Sequence, residues 1–186
     1  MLTVIQSHDQ PCVSLQQVKA HLRLDHADDD DYLLHLIKVA TNWVEDIIDS
    51  PLLTTTFLWR TSFLGRQVSG LSPVEEVQVN CKLPKQNITD IKRVVLIGRG
   101  EQRRAIPYKV FDQRGQQSVQ IDALGNCLEI EFNAGYGDRP DCVPAVLRQA
   151  IINHVACHYD SRTGINRNDY LSLLQMVQPY QRMGIS

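Results

Sequence analysis

The hydrophobic period of this chain changes twice, and that change limits its fold more than any other feature. Leu15, Val18 and Leu22 recur at helical intervals behind Ser14, and Gln17 follows that serine at capping-box spacing, which predicts a helix over residues 14–23. Leu33, Ile37, Ala40, Val44 and Ile47 then fall on one stripe, widened by Leu34 and Ile48, and predict a long helix over 28–49 that Pro51 ends. From about residue 54 the pattern alternates instead. "TTTFLWRTSF", "EEVQVNCKL", "DIKRVVLIGRG" and "LEIEFNAGYG" are strand-like runs, and shorter strands joined at Gly115 and Gly125 lie between the last two, giving five to seven strands over 54–134. Helical spacing returns with Val143, Leu147, Ile151 and Val155, predicting a helix over 143–161, and "NDYLSLLQMVQ" predicts a last one over 168–178 with an asparagine cap and a stop at Pro179. The fold class implied is α+β: an antiparallel helical bundle from the N- and C-terminal helices with an inserted β-rich segment, forming a single domain over residues 1–186.

A chain of 186 residues with 43% hydrophobic and 22% charged residues buries enough surface to fold without staples. No apolar run reaches membrane length, and "MLTVIQSHDQ" lacks the basic end and apolar core of a secretory leader, so folding in a cytoplasm and no membrane partner are expected. The five cysteines, Cys12, Cys81, Cys127, Cys142 and Cys157, form no CxxC pair and read as reduced thiols that mostly fill space in or near a core. Charge is unevenly spread: residues 1–50 carry −6, residues 51–142 carry +2 and residues 143–186 carry +2. There is no basic stripe of the kind a dedicated nucleic-acid binder shows. The unlike thirds suit subunits that pack head to side.

"NAGYGDRPDCVPAVLRQAI" raises the question of a phosphate-binding loop. Gly135 and Gly137 have neither the third glycine of a dinucleotide fingerprint nor the lysine of a phosphate loop. The segment reads as a corner between a strand and a helix, with Pro144 in the first turn and Asp141 as the expected cap.

His154 and His158 have the i, i+4 spacing of shared metal ligands, but Val155 stands where the zincin pattern needs glutamate, and Cys157 lies about 100° round the helix from His158. They read as the edge of a core face. Asp28, Asp29, Asp30 and Asp31 lack the alternation and central glycine of a calcium loop, and fit the positive end of a helix dipole. No nucleophile motif occurs. Arg99, Arg103 and Arg104 form a small basic patch that is either a solvated hairpin or a contact for nucleic-acid backbone or an acidic neighbour. Tyr170, Leu171, Leu173, Leu174, Met176, Val177 and Tyr180 nearly encircle the last helix, so it is either clamped on two sides or reaches a partner.

Three segments carry a resemblance. "VSLQQVKAHLRLDHADDDDYLLHLIKVATNWVEDIIDSPLLTTTF", "LPKQNITDIKRVVLI" and "FNAGYGDRPDCVPAVLRQAIINHVACHYDSR" stand in the order and spacing of the head–tail connector (adaptor, or head-completion) family of tailed phages, which the chain resembles from about Val13 to Tyr180. Residues 64–80 lack family wording, and Asp160 stands where the family often has glutamate.

The resemblance implies a non-enzymatic virion protein of the head–tail neck, without cofactor or metal. It implies a ring, usually of twelve copies, under the portal protein. That ring extends the DNA channel, lets DNA pass without sequence-specific binding, and meets a downstream connector, stopper or tail protein. In the family the helices pack as a bundle along the channel and the C-terminal segment engages the portal. Here Tyr170, Leu173, Leu174, Met176, Val177 and Tyr180 become portal-docking candidates, and Asp28, Asp29, Asp30, Asp31, Arg99, Arg103 and Arg104 subunit-interface candidates. Deletion of residues 168–186 is then expected to abolish portal attachment and leave the fold. The competing readings are a DNA-binding accessory protein acting through the arginines and a metal-dependent hydrolase built on the histidine pair.

Overall fold

The structure, a computed structural model, describes residues 1–8, 10–62, 78–98, 102–113, 116–122, 127–161 and 164–181. These described residues are α+β, with four α-helices and two antiparallel sheets. The chain divides into two compact units: residues 1–7 with 55–135, and residues 8–54 with 136–186.

The first unit is all β. Its strands are β1 (Leu2–Gln6), β2 (Thr55–Ser62), β3 (Gln78–Lys82), β4 (Ile88–Ile97), β5 (Arg103–Ala105), β6 (Lys109–Gln113), β7 (Gln116–Asp122) and β8 (Cys127–Ala134). Five form a sheet in the order β1-β2-β8-β4-β5, and three form a second in the order β3-β7-β6. The sheets are larger than an insertion of short strands suggests. The central strand, β8, obeys a period of two: Leu128, Ile130, Phe132 and Ala134 are buried in the apolar core, and Glu129, Glu131 and Asn133 point to the other face. Cys81, Val119 and Ile121 of the second sheet share that core with Phe57 of β2. Phe57 and Phe132 are direct cross-strand partners with ring centroids 5.5 Å apart, an arrangement that contributes roughly 0.5–1.5 kcal/mol beyond area burial.

Strand β1 is an addition to the sequence expectation. "LTVIQ" pairs antiparallel with β2, although all five of its residues are exposed. Strands at a sheet edge bury little, so a short uncharged run leaves a weak periodic signal.

The second unit holds the helices α1 (Leu15–Leu22), α2 (Asp30–Ile48), α3 (Ala145–Asp160) and α4 (Arg167–Val177). Val18 of α1, the stripe Leu33, Ile37, Ala40, Val44 and Ile48 of α2, Leu147, Ala150, Ile151 and Val155 of α3, and Val177 of α4 form one core. The capping box at Ser14 is complete: Ser14 Oγ accepts from the Gln17 N–H at 3.2 Å, and Gln17 Oε1 accepts from the Ser14 N–H at 2.9 Å. Helix α2 ends before Pro51, at Asp49 in the left-handed region with φ 51°.

Two caps differ from expectation. Asp141 lies in a short 3₁₀ turn, Pro140–Cys142, and Pro144 occupies the cap position of α3, so the restricted proline φ starts this helix without a capping side chain. The cap of α4 is Asn166 rather than Asn168, because its Oδ1 accepts from both the Asn168 and the Asp169 N–H at 3.0 Å. No helix among the described residues is long and apolar enough to cross a membrane.

The glycine segment is a corner. Gly135 and Gly137 have φ 129° and 146°. The Tyr136 N–H donates to the Leu52 C=O at 3.2 Å, and the Thr54 N–H donates to the Gly137 C=O at 3.0 Å. A Cβ on Gly137 would stand 2.7 Å from Cys142 Cβ. Gly137→Ala is therefore expected to destabilise the protein by about 1–3 kcal/mol. Urea unfolding checks this, and an unchanged midpoint contradicts it.

Candidate functional site

The polar face of the five-stranded sheet is a charge lattice. The Glu129 side chain is 4% exposed, yet lies between two arginines. Arg60, its cross-strand partner on β2, donates to Glu129 Oε1 through Nε at 2.9 Å and also through Nη2, and Arg103 Nη1 of β5 stands 3.5 Å from Oε2. Beside this, Arg93 Nη2 is 3.4 Å from Glu131 Oε2. Lys92 Nζ donates to Thr56 Oγ1 at 3.2 Å, and Thr56 Oγ1 donates to Asn133 Oδ1 at 2.8 Å.

Of the basic patch read from the sequence, the two described arginines do not share a face. Arg103 is tied to its own Glu129. Arg104, exposed, is the next residue along β5 and so projects to the opposite face. Arg99 lies outside the described residues.

The acidic run also divides. Lys19 Nζ donates to Asp30 Oδ1 at 2.6 Å and Tyr159 Oη donates to Asp29 Oδ2 at 2.7 Å, so these two carboxylates tie α1 and α3 to the start of α2. Asp28 is exposed, with His26 Nδ1 at 3.7 Å, and Asp31 is exposed.

On α4, Leu173 and Val177 are 3% and 0% exposed and belong to the interior. Met176 and Tyr180 pack partly against the helical core, and Leu174 is half-buried. Tyr170 and Leu171, 41% and 45% exposed, form the open apolar part of this helix. Deletion from residue 168 would strip two core side chains, at about 2–5 kcal/mol for a leucine-sized loss, so the fold would not survive it unharmed.

The histidine pair belongs to an aromatic stack. Trp43 lies 4.9 Å from the His154 ring and 6.1 Å from Tyr170, and His154 lies 4.6 Å from His158. Among the described residues no group of three or more histidines, cysteines or acids is placed to hold a metal ion. Burial, then the charge of His158, pushes the His154 pKa down to about 4. Cys12 and Cys81 are buried, and burial raises both thiols, Cys12 to about 12.

Residues 12–92 match the family model described as phage gp6-like head–tail connector protein. Over this segment, less than half of its length, the chain is similar to the head–tail connector family. The whole chain is matched by fold. A chain in the neck of an empty GTA particle, computed with C6 symmetry, superposes with a TM-score of 0.77 at 16% identity, over 100% of this chain and 97% of that one. A chain in the neck of the native GTA particle, computed with C12 symmetry, gives 0.74 at 16% identity, and one in the virion of the native gene transfer agent (GTA) particle gives 0.73 at 18%, both with the same coverage. At these identities the likeness is one of fold. No curated protein matches the chain.

The buried polar groups Glu129 and His154 set the response to substitution and to pH. Arg60→Ala leaves the Glu129 carboxylate buried and short of a partner, and is expected to cost about 3–5 kcal/mol. Glu129→Gln lets the exposed arginines rehydrate and is expected to cost about 1–2 kcal/mol; urea unfolding giving the reverse order contradicts the lattice. For His154, the unfolded chain takes up a proton as pH falls from 6.5 to about 4, while the folded chain does not. Stability from this site is present above pH 6.5 and lost towards pH 4. His154→Phe should flatten the melting-temperature profile across that window.

Proposed function

We propose that this chain is a structural head–tail connector, an adaptor of a tailed phage or phage-like particle, located in the neck of the virion. The observation that carries the reading is the likeness of fold along the whole chain to chains of GTA necks. The connector-family match of residues 12–92 supports it independently. On this reading the two units act together as one connector subunit, and the helices form an antiparallel bundle. Twelve subunits, the order of the C12 symmetry of one similar neck, close into a ring beneath the portal protein. The ring extends the DNA channel and presents its other side to a downstream connector, stopper or tail protein. It works by shape, without catalysis or cofactor.

A closed ring needs two different patches per subunit. The acidic first third and the mildly basic remainder supply unlike charge, with Asp28, Asp31 and Arg104 exposed for it. Portal docking falls to Tyr170 and Leu171, continuing into the C-terminal residues.

Negative-stain electron microscopy of the purified protein, alone and mixed with the portal of its own particle, tests the reading. Rings, or an added layer under the portal, are expected. A persistent monomer that ignores the portal overturns the proposal. Leu171→Ser, alone and combined with Tyr170→Ser, is expected to weaken portal attachment at least tenfold; unchanged attachment refutes docking through α4.

A further inference from the structure

The β unit offers strand edges in its backbone. Met1 and Arg60 exchange hydrogen bonds: the Met1 amino group donates to the Arg60 C=O at 2.7 Å, and the Arg60 N–H donates to the Met1 C=O at 2.8 Å. Antiparallel ladders alternate, so Thr3 bonds towards β2, and Leu2 and Val4 turn their N–H and C=O groups outward. The same parity reads β6. The Leu83 N–H donates to the Gln117 C=O at 3.0 Å, so Gln117 and Val119 of β7 face β3. Val110, opposite Val119, therefore turns its backbone groups away from β7.

These two edges differ from the others. Strand β5 is three residues long and carries two arginines, and β3 contains the buried Cys81. Strand β1 has neither charge nor proline, and the register shift between Val4 and Gln6 leaves Leu2–Val4 regular. It exposes Leu2, Val4 and Ile5, and β6 exposes Val110 and Phe111. Lys109 and Asp112 make β6 neutral as a whole, so no net charge opposes its approach to β1. Among the described residues no strand pairs with the outer edge of β1 or of β6, and an apolar edge without net charge is a template for another strand.

We propose that β1 of one copy adds to β6 of the next, so that each contact in the ring includes a sheet continued from copy to copy. The inference rests on the ring reading above and names the partner as a second copy of this chain. Two different edges on one subunit make a head-to-tail contact, the kind that closes into a ring, whereas β1 against β1 would stop at a dimer.

Edge proline substitutions test it. Val4→Pro and Val110→Pro each remove an outward donor, a position where proline is tolerated in a sheet. Val4→Lys and Val110→Lys place a charge on the same edges and keep the donor. In the full-length protein, each variant is expected to raise the concentration needed for ring formation at least tenfold, with or without portal, while the unfolding midpoint stays that of the wild type. A lysine variant replaces any proline variant whose midpoint falls. Wild-type rings with unaffected variant rings, or an effect at only one of the two edges, overturn the β1–β6 contact and leave the ring reading standing. Wild-type protein that forms no ring in any condition overturns both.

Discussion

Strand β8 holds the β unit together by the alternation of its side chains. One face supplies Leu128, Ile130 and Phe132 to a core shared by both sheets, and the other supplies Glu129, Glu131 and Asn133 to a polar lattice. Its neighbours β2 and β4 pair along its length, from Thr55 and Ile88 opposite Ala134 to Ser62 and Ile97 opposite Cys127. A one-residue slip would put carboxylates into the core and phenylalanine among arginines, so register is fixed from both sides. The buried Glu129 adds to this: its carboxylate is compensated only when β2 and β5 bring Arg60 and Arg103 to it.

Much of this was legible in the residues. The helical stripes of α1, α2 and α3 and the strand alternation are direct consequences of burial on one face, and Ser14 announces α1 by its hydrogen-bonding chemistry. What was not legible depends on tertiary partners. "LTVIQ" has no buried face to reveal it, so β1 exists because β2 offers it an edge. The cap of α4 could not be chosen between Asn166 and Asn168 from propensity, because either can accept from the following N–H groups.

The candidate residues show the same limit. An aspartate run reads as a solvated helix start, yet Asp29 and Asp30 are occupied by Tyr159 and Lys19. Adjacent arginines in sequence, Arg103 and Arg104, project to opposite faces because strands alternate. The apolar girdle of α4 was open to two readings, and burial assigns Leu173 and Val177 to the interior while Tyr170 and Leu171 stay exposed. On the connector reading, the informative surface is what such internal bonds leave over.

The corner at Gly137 has a consequence for how such a chain can diversify. The polypeptide leaves the helical unit after Thr54 and returns at Tyr136, and the two passages are joined by the bonds between Leu52 and Tyr136 and between Thr54 and Gly137. To the helices, everything between is a stub of fixed width. The entropy of closing a loop changes by only about 0.6 kcal/mol for each doubling of its length, so the segment between these two bonded passages can lengthen or shorten while the bonds keep its ends at one spacing.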